Sequence, residues 1–468
     1  MTATLPTVRV RDPLAFLPAL EQADLIRRGE LTPAELVEIY LERTAALDPD
    51  LGAYVTVDAD RVRAAAAAAA SHPATDTAPL RGVTLSVKDL TRTAGLRTTL
   101  GIAGLRDDLP ERDDHVVTAL HRAGLLLLGK TTTPALGLGC VSEPAGLPAA
   151  RNPWDRTRSA GGSSGGAAAA VAAGLCAAAH GTDGGGSIRI PAAWCGVVGV
   201  KPTRGRVSAA PAASSLTATS GPLARTVTDA AALLDAMSGP TPGDAFAVPL
   251  PDRPFRLEAS TAPSRLTVGV AVGRTPLDPD VAAGLDRVIG LLPRLGHRVS
   301  AREPEPHWDM MISPYLHPLL GATVRQALAT LTVDAPLDPL LGAASREAPV
   351  SADDYAAATA ELLTRARRAA EAFGDVDVLL TPTVAKTPPL IGAHRELPVA
   401  ELFATWESYV PFTTMWNWTG QPAISLPVGF GADSRLPMAV QLVGRVADEA
   451  TLFRLAGQLE RELPATHR

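Results

Sequence analysis

Apolar and polar positions along the chain follow two alternating periods, which predict helices and strands in turn. Helical spacing covers 13–47, broken at Gly29, and also 61–71, 115–123 and 449–463. The segment Thr32-Pro33-Ala34-Glu35 has the form of a capping box with proline at the first helical position, so a helix is expected from Pro33. Short apolar, partly β-branched runs predict buried strands at 83–88, 125–128, 266–272, 376–380, 424–428 and 440–443. Such alternation indicates an α/β layered fold.

One predicted helix has no polar face. Ala167 to Ala179 is predicted to be a helix that is apolar on all sides, and such a helix is normally buried. Glycine-rich segments lie before it, at 161–166, and after it, at 181–186. Because glycine lets backbone approach other groups closely, we expect these two segments to meet something in the centre of the protein.

Composition excludes several classes of protein. The 468 residues carry a net charge of −6, with 46% hydrophobic and 20% charged residues, so nothing indicates nucleic-acid binding or disorder. The three cysteines have no disulfide or zinc-type spacing, and no metal or other cofactor is expected. The first ten residues lack an apolar signal segment, and the longest uncharged apolar run is too short to cross a membrane. A soluble, cytoplasmic protein is therefore expected.

Lysine is rare in this chain. Of the 43 basic residues only Lys88, Lys130, Lys201 and Lys386 are lysine. Arginine cannot lose its proton in a protein, whereas a buried lysine can act as a base. Each of the four lysines is therefore a candidate for proton chemistry.

Two short motifs match catalytic patterns without the structure that those patterns need. Residues 124–131 fit the phosphate-loop pattern of nucleotide hydrolases, but the four leucines inside the match predict a strand and not an open loop, so Lys130 is interpreted as structural. Residues 161–165 fit the nucleophile elbow of α/β-hydrolases, yet the preceding segment 151–158 is polar and turn-forming where a strand is required.

A third arrangement is chemically coherent. Lys88 ends a predicted strand, Ser163 lies in the first glycine-rich segment, and Ser187 ends the second. Consecutive glycines at 184–186 let backbone N–H groups converge, as an oxyanion hole requires, and Ser187 would present its hydroxyl beside them. A flexible loop is the simpler explanation of a glycine run, but it explains neither the paired serines nor the lysine.

These segments resemble the amidase signature family of serine hydrolases. The resemblance is carried by Gly161-Gly162-Ser163-Ser164-Gly165-Gly166, by residues 181–189 and by residues 195–203. It extends to Val87-Lys88-Asp89, to 151–155, to 419–427 and to 441–444, and so covers most of the chain. It implies an α/β fold with a large central mixed β-sheet covered by helices on both faces.

The resemblance also implies a role for each residue of the site. Ser187 would be the nucleophile, Lys88 the base, and Ser163, preceded by a cis peptide in the family, the bridge between them. Backbone N–H groups of Gly184, Gly185, Gly186 and Ser187 would form the oxyanion hole. Asp183 and Arg189 would support the site from behind. Lys201 falls in a structural segment, and Lys386 matches nothing.

The substrate is expected to be a small molecule. Segment 303–353, the loop 206–220 and the side chains of Cys140, Trp194 and Arg206 are candidates for the wall of an apolar pocket. Aryl or alkyl amides and anilides would fit such a pocket, and carbamates are a further candidate, since the resemblance admits urethane-cleaving members. Glutamine-specific members usually carry an acidic residue at the position of Val410, which is apolar here.

The chain is interpreted as a single amidase domain, 1–468. N-terminal helices would occupy 1–75, the catalytic core 80–240, and a variable segment of the substrate pocket 300–355. A non-catalytic protein with the same fold, a nucleotide hydrolase and a glutamine amidotransferase subunit remain as alternatives. The sequence leaves open the oligomeric state, the physiological substrate, and whether 300–355 or 204–220 is a mobile lid.

Overall fold

A computed structural model describes residues 13–70, 78–212, 215–302, 315–331, 338–346, 349–464 and 466. Its central feature is one mixed sheet of eleven strands in the order β1-β3-β2-β4-β6-β5-β10-β11-β9-β7-β8. The strands are β1 Tyr54–Val57, β2 Thr84–Lys88, β3 Leu126–Thr131, β4 Ala178–Asp183, β5 Val198–Lys201, β6 Thr219–Ala224, β7 Thr267–Val270, β8 Arg298–Ala301, β9 Val378–Pro382, β10 Ala423–Phe430 and β11 Pro437–Val443.

Fifteen α-helices accompany the sheet in the described part of the chain. They are α1 Ala19–Arg27, α2 Pro33–Leu51, α3 Ala59–Ala70, α4 His115–Arg122, α5 Gly165–Ala172, α6 Arg189–Cys195, α7 Val227–Met237, α8 Phe255–Ala259, α9 Pro279–Arg294, α10 Leu316–Ala329, α11 Pro339–Arg346, α12 Ala352–Phe373, α13 Val399–Tyr409, α14 Met415–Thr419 and α15 Glu449–Glu460. The predicted class, α/β with a large mixed sheet, is confirmed.

Parallel pairing of three strands near one end of the sheet positions the site. Strand β2 pairs in parallel with β3 on one side and β4 on the other, with Val87 opposite His180. The carboxyl ends of parallel neighbours lie at one edge of a sheet. Lys88, the last residue of β2, and Asp183, the last of β4, therefore come to the same edge.

Several local predictions are confirmed in detail. The side chain of Thr32 accepts a hydrogen bond from the Glu35 N–H, and the Glu35 carboxylate accepts one from the Thr32 N–H, which completes the capping box of α2. The leucines of the phosphate-loop match lie in β3 or directly before it, and Lys130 lies within that strand. The nucleotide-hydrolase alternative is thereby excluded on geometry, because the motif has no loop to hold a phosphate.

The long apolar helix is shorter than expected. Helix α5 ends at Ala172, and Ala178 and Ala179 belong to strand β4 instead. Gly174 adopts a positive φ of 63° directly after the helix, which favours glycine and ends the helical path. The prediction was wrong beyond Ala172, over more than half of its length, because alanine is compatible with either element, and pairing with β2 and β6 decides the outcome.

Segment 303–353 is rich in proline and its sequence predicts irregular structure, but the structure differs. Its described residues form helices α10 and α11 and the start of α12. Residues 303–314, 332–337 and 347–348 of that segment, which include Trp308, Met310 and Met311, lie outside the described residues, as do residues 1–12. The proline-rich composition of the connections hid the helical periods between them.

Burial matches the apolar pattern of the chain. Residues 165–171 of α5 are all buried, as predicted for a helix without a polar face. The strands β2, β3, β5, β9 and β11 are buried along their whole length. Among the described helices none has the length and apolar character needed to cross a membrane.

Candidate active site

Lys88 is fully buried and makes three polar contacts at the carboxyl edge of the sheet. In its protonated form its Nζ donates hydrogen bonds to Ser163 Oγ at 2.7 Å, to Thr182 Oγ1 at 2.9 Å and to the Thr182 carbonyl at 3.3 Å. Strand β2 supplies the lysine and strand β4 supplies the threonine, so the parallel pair itself brings them together. The three contacts hold the amino group against the hydroxyl of Ser163.

The environment of Lys88 favours its neutral form. Burial lowers the pKa of this lysine to about 7, and the nearby carboxylate of Asp183 opposes the shift only partly. A lysine with an ordinary pKa near 10.5 would be protonated at neutral pH and could not accept a proton. Lys88 can therefore act as a base under ordinary conditions.

Ser163 lies in the loop that precedes α5, and two other serines fix this loop. The Gly162–Ser163 peptide bond is cis, in agreement with the resemblance noted from the sequence. Ser142 Oγ donates to the Ser163 carbonyl at 3.1 Å and accepts from the Gly165 N–H at 3.1 Å. Ser164 Oγ donates to the Thr182 carbonyl at 3.1 Å, so the loop is tied to the end of β4.

Ser187 lies between β4 and α6, and it shares one cavity with Ser163. Gly184 and Gly185 line the same cavity. Among the described residues nothing accepts a hydrogen bond from the backbone N–H groups of Gly184, Gly185 or Ser187, so these three donors are available to a ligand.

Gly186 departs from the expectation for the oxyanion hole. It is buried and does not line the cavity, and its N–H donates to Asp183 Oδ1 at 2.7 Å. A donor already engaged by a carboxylate cannot also stabilise an oxyanion on the cavity side. The predicted set of donors is therefore corrected to Gly184, Gly185 and Ser187.

Asp183 and Arg189 form a fully buried ion pair beneath this loop. Arg189 Nε and Nη2 donate to the two carboxylate oxygens of Asp183, each at 2.9 Å. Burial by itself raises the pKa of Asp183, but the guanidinium and the hydrogen bonds outweigh it and hold this pKa well below its usual range. The carboxylate stays charged and also accepts from the Ile188 N–H at 3.1 Å.

Residues from the C-terminal part of the chain complete the support. The remaining guanidinium contacts of Arg189 are to the Thr413 carbonyl at 2.9 Å, to Gln441 Oε1 at 2.7 Å and to Asn417 Oδ1 at 2.7 Å. Asn417 Nδ2 also donates to the carbonyl and to Oδ1 of Asp183, both at 2.9 Å. The predicted position of Asp183 and Arg189 behind the loop agrees with these contacts.

Sequence reasoning assigned no role to several residues that the structure brings to the site. Thr182 and Gln441 lay inside segments already recognised as motifs, and their polarity in otherwise buried strands was the available signal. Thr413, Thr414 and Asn417 lie just before the recognised segment 419–427, in a stretch where an apolar pattern dominates. Their distance of more than 220 residues from the glycine loop leaves no local signal in the sequence.

The cavity has a volume of about 660 Å³. Among its described lining residues there is no Asp, Glu, Lys, Arg or His. Most of its apolar side chains come from the 136–140 loop, from helices α10, α11, α13 and α14, and from the residue directly after α13; they are Leu136, Leu138, Cys140, Leu316, Leu319, Leu320, Val324, Leu340, Val399, Phe403, Trp406, Val410 and Trp418. Helices α10 and α11, which lie within segment 303–353, contribute lining residues to this wall.

Two of the three candidate pocket residues lie elsewhere. Cys140 lines the cavity, as predicted. Trp194 is buried behind it, and its Nε1 donates to the Lys386 carbonyl at 2.9 Å. Arg206 pairs with Glu449 at 3.0 Å and also donates to the Pro249 carbonyl, so it is a structural cation. Proximity in sequence to the motif blocks misled both predictions.

The other lysines hold parts of the fold together. Lys130 donates to the carbonyl of Thr91 and to the hydroxyls of Thr93 and Thr98, within the loop that follows β2. Lys201 donates to the Pro202 carbonyl at 3.1 Å. Neither lines the cavity, so the structural interpretation agrees with their contacts. Lys386, unassigned from sequence, donates to Ser408 Oγ at 3.0 Å and lies over the ring of Tyr409.

The described ranges contain no candidate metal site. No group of three or more His, Cys, Asp or Glu side chains there has a geometry that could hold a metal ion. The chemistry that the site can perform with its own side chains is nucleophilic attack by a serine, with proton transfer through a second serine to a buried amine.

Comparison with known proteins gives consistent results over nearly the whole chain. The family model "Amidase" matches residues 35–453. AmiB2 of Mycobacterium tuberculosis is 40% identical over 462 residues, which cover 97% of this chain and 98% of that protein. A glutamyl-tRNA(Gln) amidotransferase subunit of Synechococcus sp. is 35% identical over 471 residues, covering 93% of this chain and 94% of that protein.

Solved structures show the same architecture. The structure of 6-aminohexanoate cyclic dimer hydrolase in complex with substrate matches with a TM-score of 0.86 and 33% identity, covering 96% of this chain and 98% of that one. A bacterial aryl acylamidase matches with a TM-score of 0.84 and 26% identity, covering 96% of each chain.

Proposed function

Since the chain belongs to the amidase signature family and is an amidohydrolase that cleaves C–N bonds, we propose that it hydrolyses uncharged amides, in particular anilides and small alkyl or aryl amides, through an acyl-enzyme on Ser187. One observation carries the proposal. A buried Lys88, with its pKa lowered to about 7, lies 2.7 Å from Ser163 at a cavity that also exposes Ser187.

The proton path starts at the nucleophile. A serine hydroxyl is a weak nucleophile until a base removes its proton. Ser163 can accept that proton from Ser187 while donating its own to neutral Lys88, because a hydroxyl donates and accepts at once. Thr182 supports this step by holding the lysine nitrogen at 2.9 Å through its hydroxyl. Lys88 then carries the proton in a position from which it can be returned.

The oxyanion forms on the side of the glycine loop. Attack on the amide carbon places a negative charge on the carbonyl oxygen, and the N–H groups of Gly184, Gly185 and Ser187 are the free donors there. Lys88, through Ser163, then protonates the departing amine nitrogen, and the C–N bond breaks. Water attacks the acyl-enzyme by the same route, which regenerates the Ser187 hydroxyl and releases the acid.

The wall of the cavity supports the choice of an uncharged substrate. A charged substrate group would lose its hydration and meet no counter-ion on the described wall, which costs several kcal/mol. An uncharged acyl or aryl group instead gains from burial against the leucine, phenylalanine and tryptophan side chains of α10 and α13. The cyclic dimer hydrolase and the aryl acylamidase, whose names describe amide substrates, are consistent with this choice.

Carbamates are a second substrate class for the same site. An aryl carbamate is uncharged and has the same planar carbonyl, so it meets the same donors and the same apolar wall. Attack by Ser187 with loss of the aryl oxide gives a carbamoyl-enzyme. Its hydrolysis releases a carbamic acid, which decomposes to an amine and carbon dioxide.

A glutamine-dependent transamidase is the competing function, and the Synechococcus relative is of that kind. Val410 weighs against it, because this side chain is fully buried and lines the cavity where an acid would be needed to hold the ammonium group of glutamine. Its surroundings are apolar as well, since Leu402, Phe403 and Trp406 pack in the same cluster.

The test is a fluorophosphonate label competed by a panel of compounds. We expect peptide mapping to locate the label on Ser187, and competition by anilides and aryl carbamates to exceed that by glutamine. Hexananilide and 6-aminohexananilide form a matched pair that differs by one charge. The uncharged member should have the higher kcat/KM by at least about tenfold, equivalent to about 1.4 kcal/mol. Turnover of glutamine or charged amino-acid amides alone would refute the proposal.

A further inference from the structure

The carbonyl oxygen of Gly185 is held by two hydroxyl groups at once. Thr413 Oγ1 donates to it at 2.7 Å and Thr414 Oγ1 at 3.0 Å. We propose that Thr413 and Thr414 are positioning residues that fix the Gly185–Gly186 peptide, and thereby point the free N–H groups of the loop at the reacting carbonyl. The inference rests on the proposed function, because it concerns the oxyanion donors of that reaction.

The other end of the same peptide is also engaged. A peptide unit is planar, and its C=O and N–H point in opposite directions. The C=O of Gly185 is bound by the two threonines, while the N–H of Gly186 donates to Asp183 at 2.7 Å. Both polar groups of this peptide are therefore engaged by the protein itself, and its orientation is fixed from both sides.

The fixed peptide determines what its neighbours present to the cavity. The following peptide has its Gly186 carbonyl bound by the Ile190 N–H at 2.8 Å, which leaves the Ser187 N–H on the opposite side. The preceding peptide contributes the Gly185 N–H, and both residues line the cavity. The two donors thus flank the peptide that Thr413 and Thr414 hold.

The flexibility of glycine is the reason why this peptide needs hydrogen bonds from the two threonines. Three consecutive glycines allow their peptides to rotate with little steric cost, so sequence alone does not fix the direction of the N–H groups. A Gly185 carbonyl without its hydroxyl partners would be an unsatisfied acceptor beside a cavity, and it would turn to the solvent there. A carbonyl oxygen on that side would repel the developing oxyanion in place of stabilising it.

The two threonines are not equivalent. Thr413 packs directly on the loop, since a Cβ added to Gly186 would come within 2.3 Å of its Oγ1. Thr414 lines the cavity. Because both donate to one oxygen, either hydroxyl alone retains part of the hold, and removal of both is expected to cost more than the sum of the single losses.

The experiment compares Thr413→Val, Thr414→Val, the double variant and Thr413→Ser. Thr383→Val is the matched control, since Thr383 is also buried and its hydroxyl lies 3.3 Å from Ser425 Oγ, away from the cavity. The substrate is hexananilide. Two ligands distinguish binding of the oxyanion from binding of the uncharged ground state. A hexyl trifluoromethyl ketone forms an oxyanion adduct on the nucleophilic serine, and the corresponding secondary alcohol does not.

We expect the double variant to lose about 100-fold in kcat, as for loss of one oxyanion donor, with KM changed less than twofold. Affinity for the trifluoromethyl ketone should fall by the same factor, and affinity for the alcohol should stay unchanged. Thr413→Ser should restore activity to within about threefold of wild type, and Thr383→Val should match wild type. If the double variant does not fold, Thr414→Val is the test variant. We then expect kcat and the affinity for the ketone to fall in parallel, by about threefold or more.

Other results would overturn the positioning role. A parallel loss of ketone and alcohol affinity, or a failure of serine to restore activity, would indicate general damage to the cavity. Wild-type activity in the double or the Thr414→Val variant would show that the hydroxyls position nothing. By contrast, a wild-type protein that neither turns over anilides nor forms the ketone adduct on Ser187 would refute the proposed function itself.

Discussion

The amino nitrogen of Lys88 lies 2.7 Å from the hydroxyl oxygen of Ser163, and neither side chain is more than 2% exposed. The two residues are 75 positions apart, yet the parallel pairing of β2 with β4 and the serine-fixed loop before α5 bring them into contact. This contact joins a proton acceptor to a group that can relay a proton. It is the basis of the first two predictions.

Replacement of Lys88 by arginine should abolish activity although the positive charge is retained. An arginine keeps its proton at any accessible pH and cannot act as a base. We expect kcat for an anilide to fall at least about 100-fold, measured by aniline release. Lys386→Arg is the control, because Lys386 contacts Ser408 away from the cavity and should keep wild-type turnover. A folded Lys88→Arg enzyme with near-normal turnover would contradict the mechanism.

Activity should rise with pH and level off above the pKa of Lys88. Burial lowers this pKa to about 7, so the lysine is protonated and inactive below that value and neutral above it. With an uncharged anilide as substrate, log kcat/KM should increase with a slope of one below about pH 7 and become flat above it. The rate of fluorophosphonate labelling should follow the same curve. A profile that is flat from pH 5.5 to 9 would mean that Lys88 is not the base.

Neutralising Asp183 should destabilise the protein. Asp183→Asn removes the only negative charge of a fully buried pair and leaves the Arg189 guanidinium without its counter-ion. Breaking a buried pair in this way costs about 3–5 kcal/mol, which urea unfolding can measure. Glu371→Gln, which breaks an exposed pair with Arg367 on α12, should leave the unfolding midpoint unchanged. Equal effects of the two substitutions would argue against a structural role for the buried pair.

Gly186 should not tolerate alanine. Its φ of 128° is a conformation that residues with a side chain rarely adopt, and an added Cβ would meet Thr413 Oγ1 at 2.3 Å. Gly186→Ala should therefore lower the melting temperature and reduce kcat at least about 100-fold, since the loop must shift. Gly290→Ala on helix α9, where the new methyl group meets nothing within 4 Å, should instead leave the melting temperature equal or slightly raised. Normal activity of Gly186→Ala would show that the loop is not held as described.

Local signals in the sequence were sufficient for much of the fold. The capping box at Thr32 fixed the start of α2, because its two hydrogen bonds join residues three apart. Strand β2 was found with its end at Lys88, because a short run with β-branched side chains that begins directly after Gly82 favours a strand over a helix. The division of the alanine block at Gly174 was missed, because alanine suits either element and only pairing with β2 and β6 places 178–183 in the sheet.

By itself the sequence identified the residues to which the proposed chemistry is assigned: one lysine that ends a strand and two serines in glycine-rich segments. Tertiary structure decided which N–H groups of the glycine loop remain free, since the Asp183 carboxylate accepts a hydrogen bond from the Gly186 N–H. It also excluded Trp194 and Arg206 from the cavity wall, and it brought Thr413 and Thr414 from the far end of the chain to the glycine loop. The physical reason is the same in each case. Residue type and spacing along the chain indicate which chemistry a side chain can perform. The hydrogen-bond partner of each group is instead determined by packing between segments that lie hundreds of residues apart.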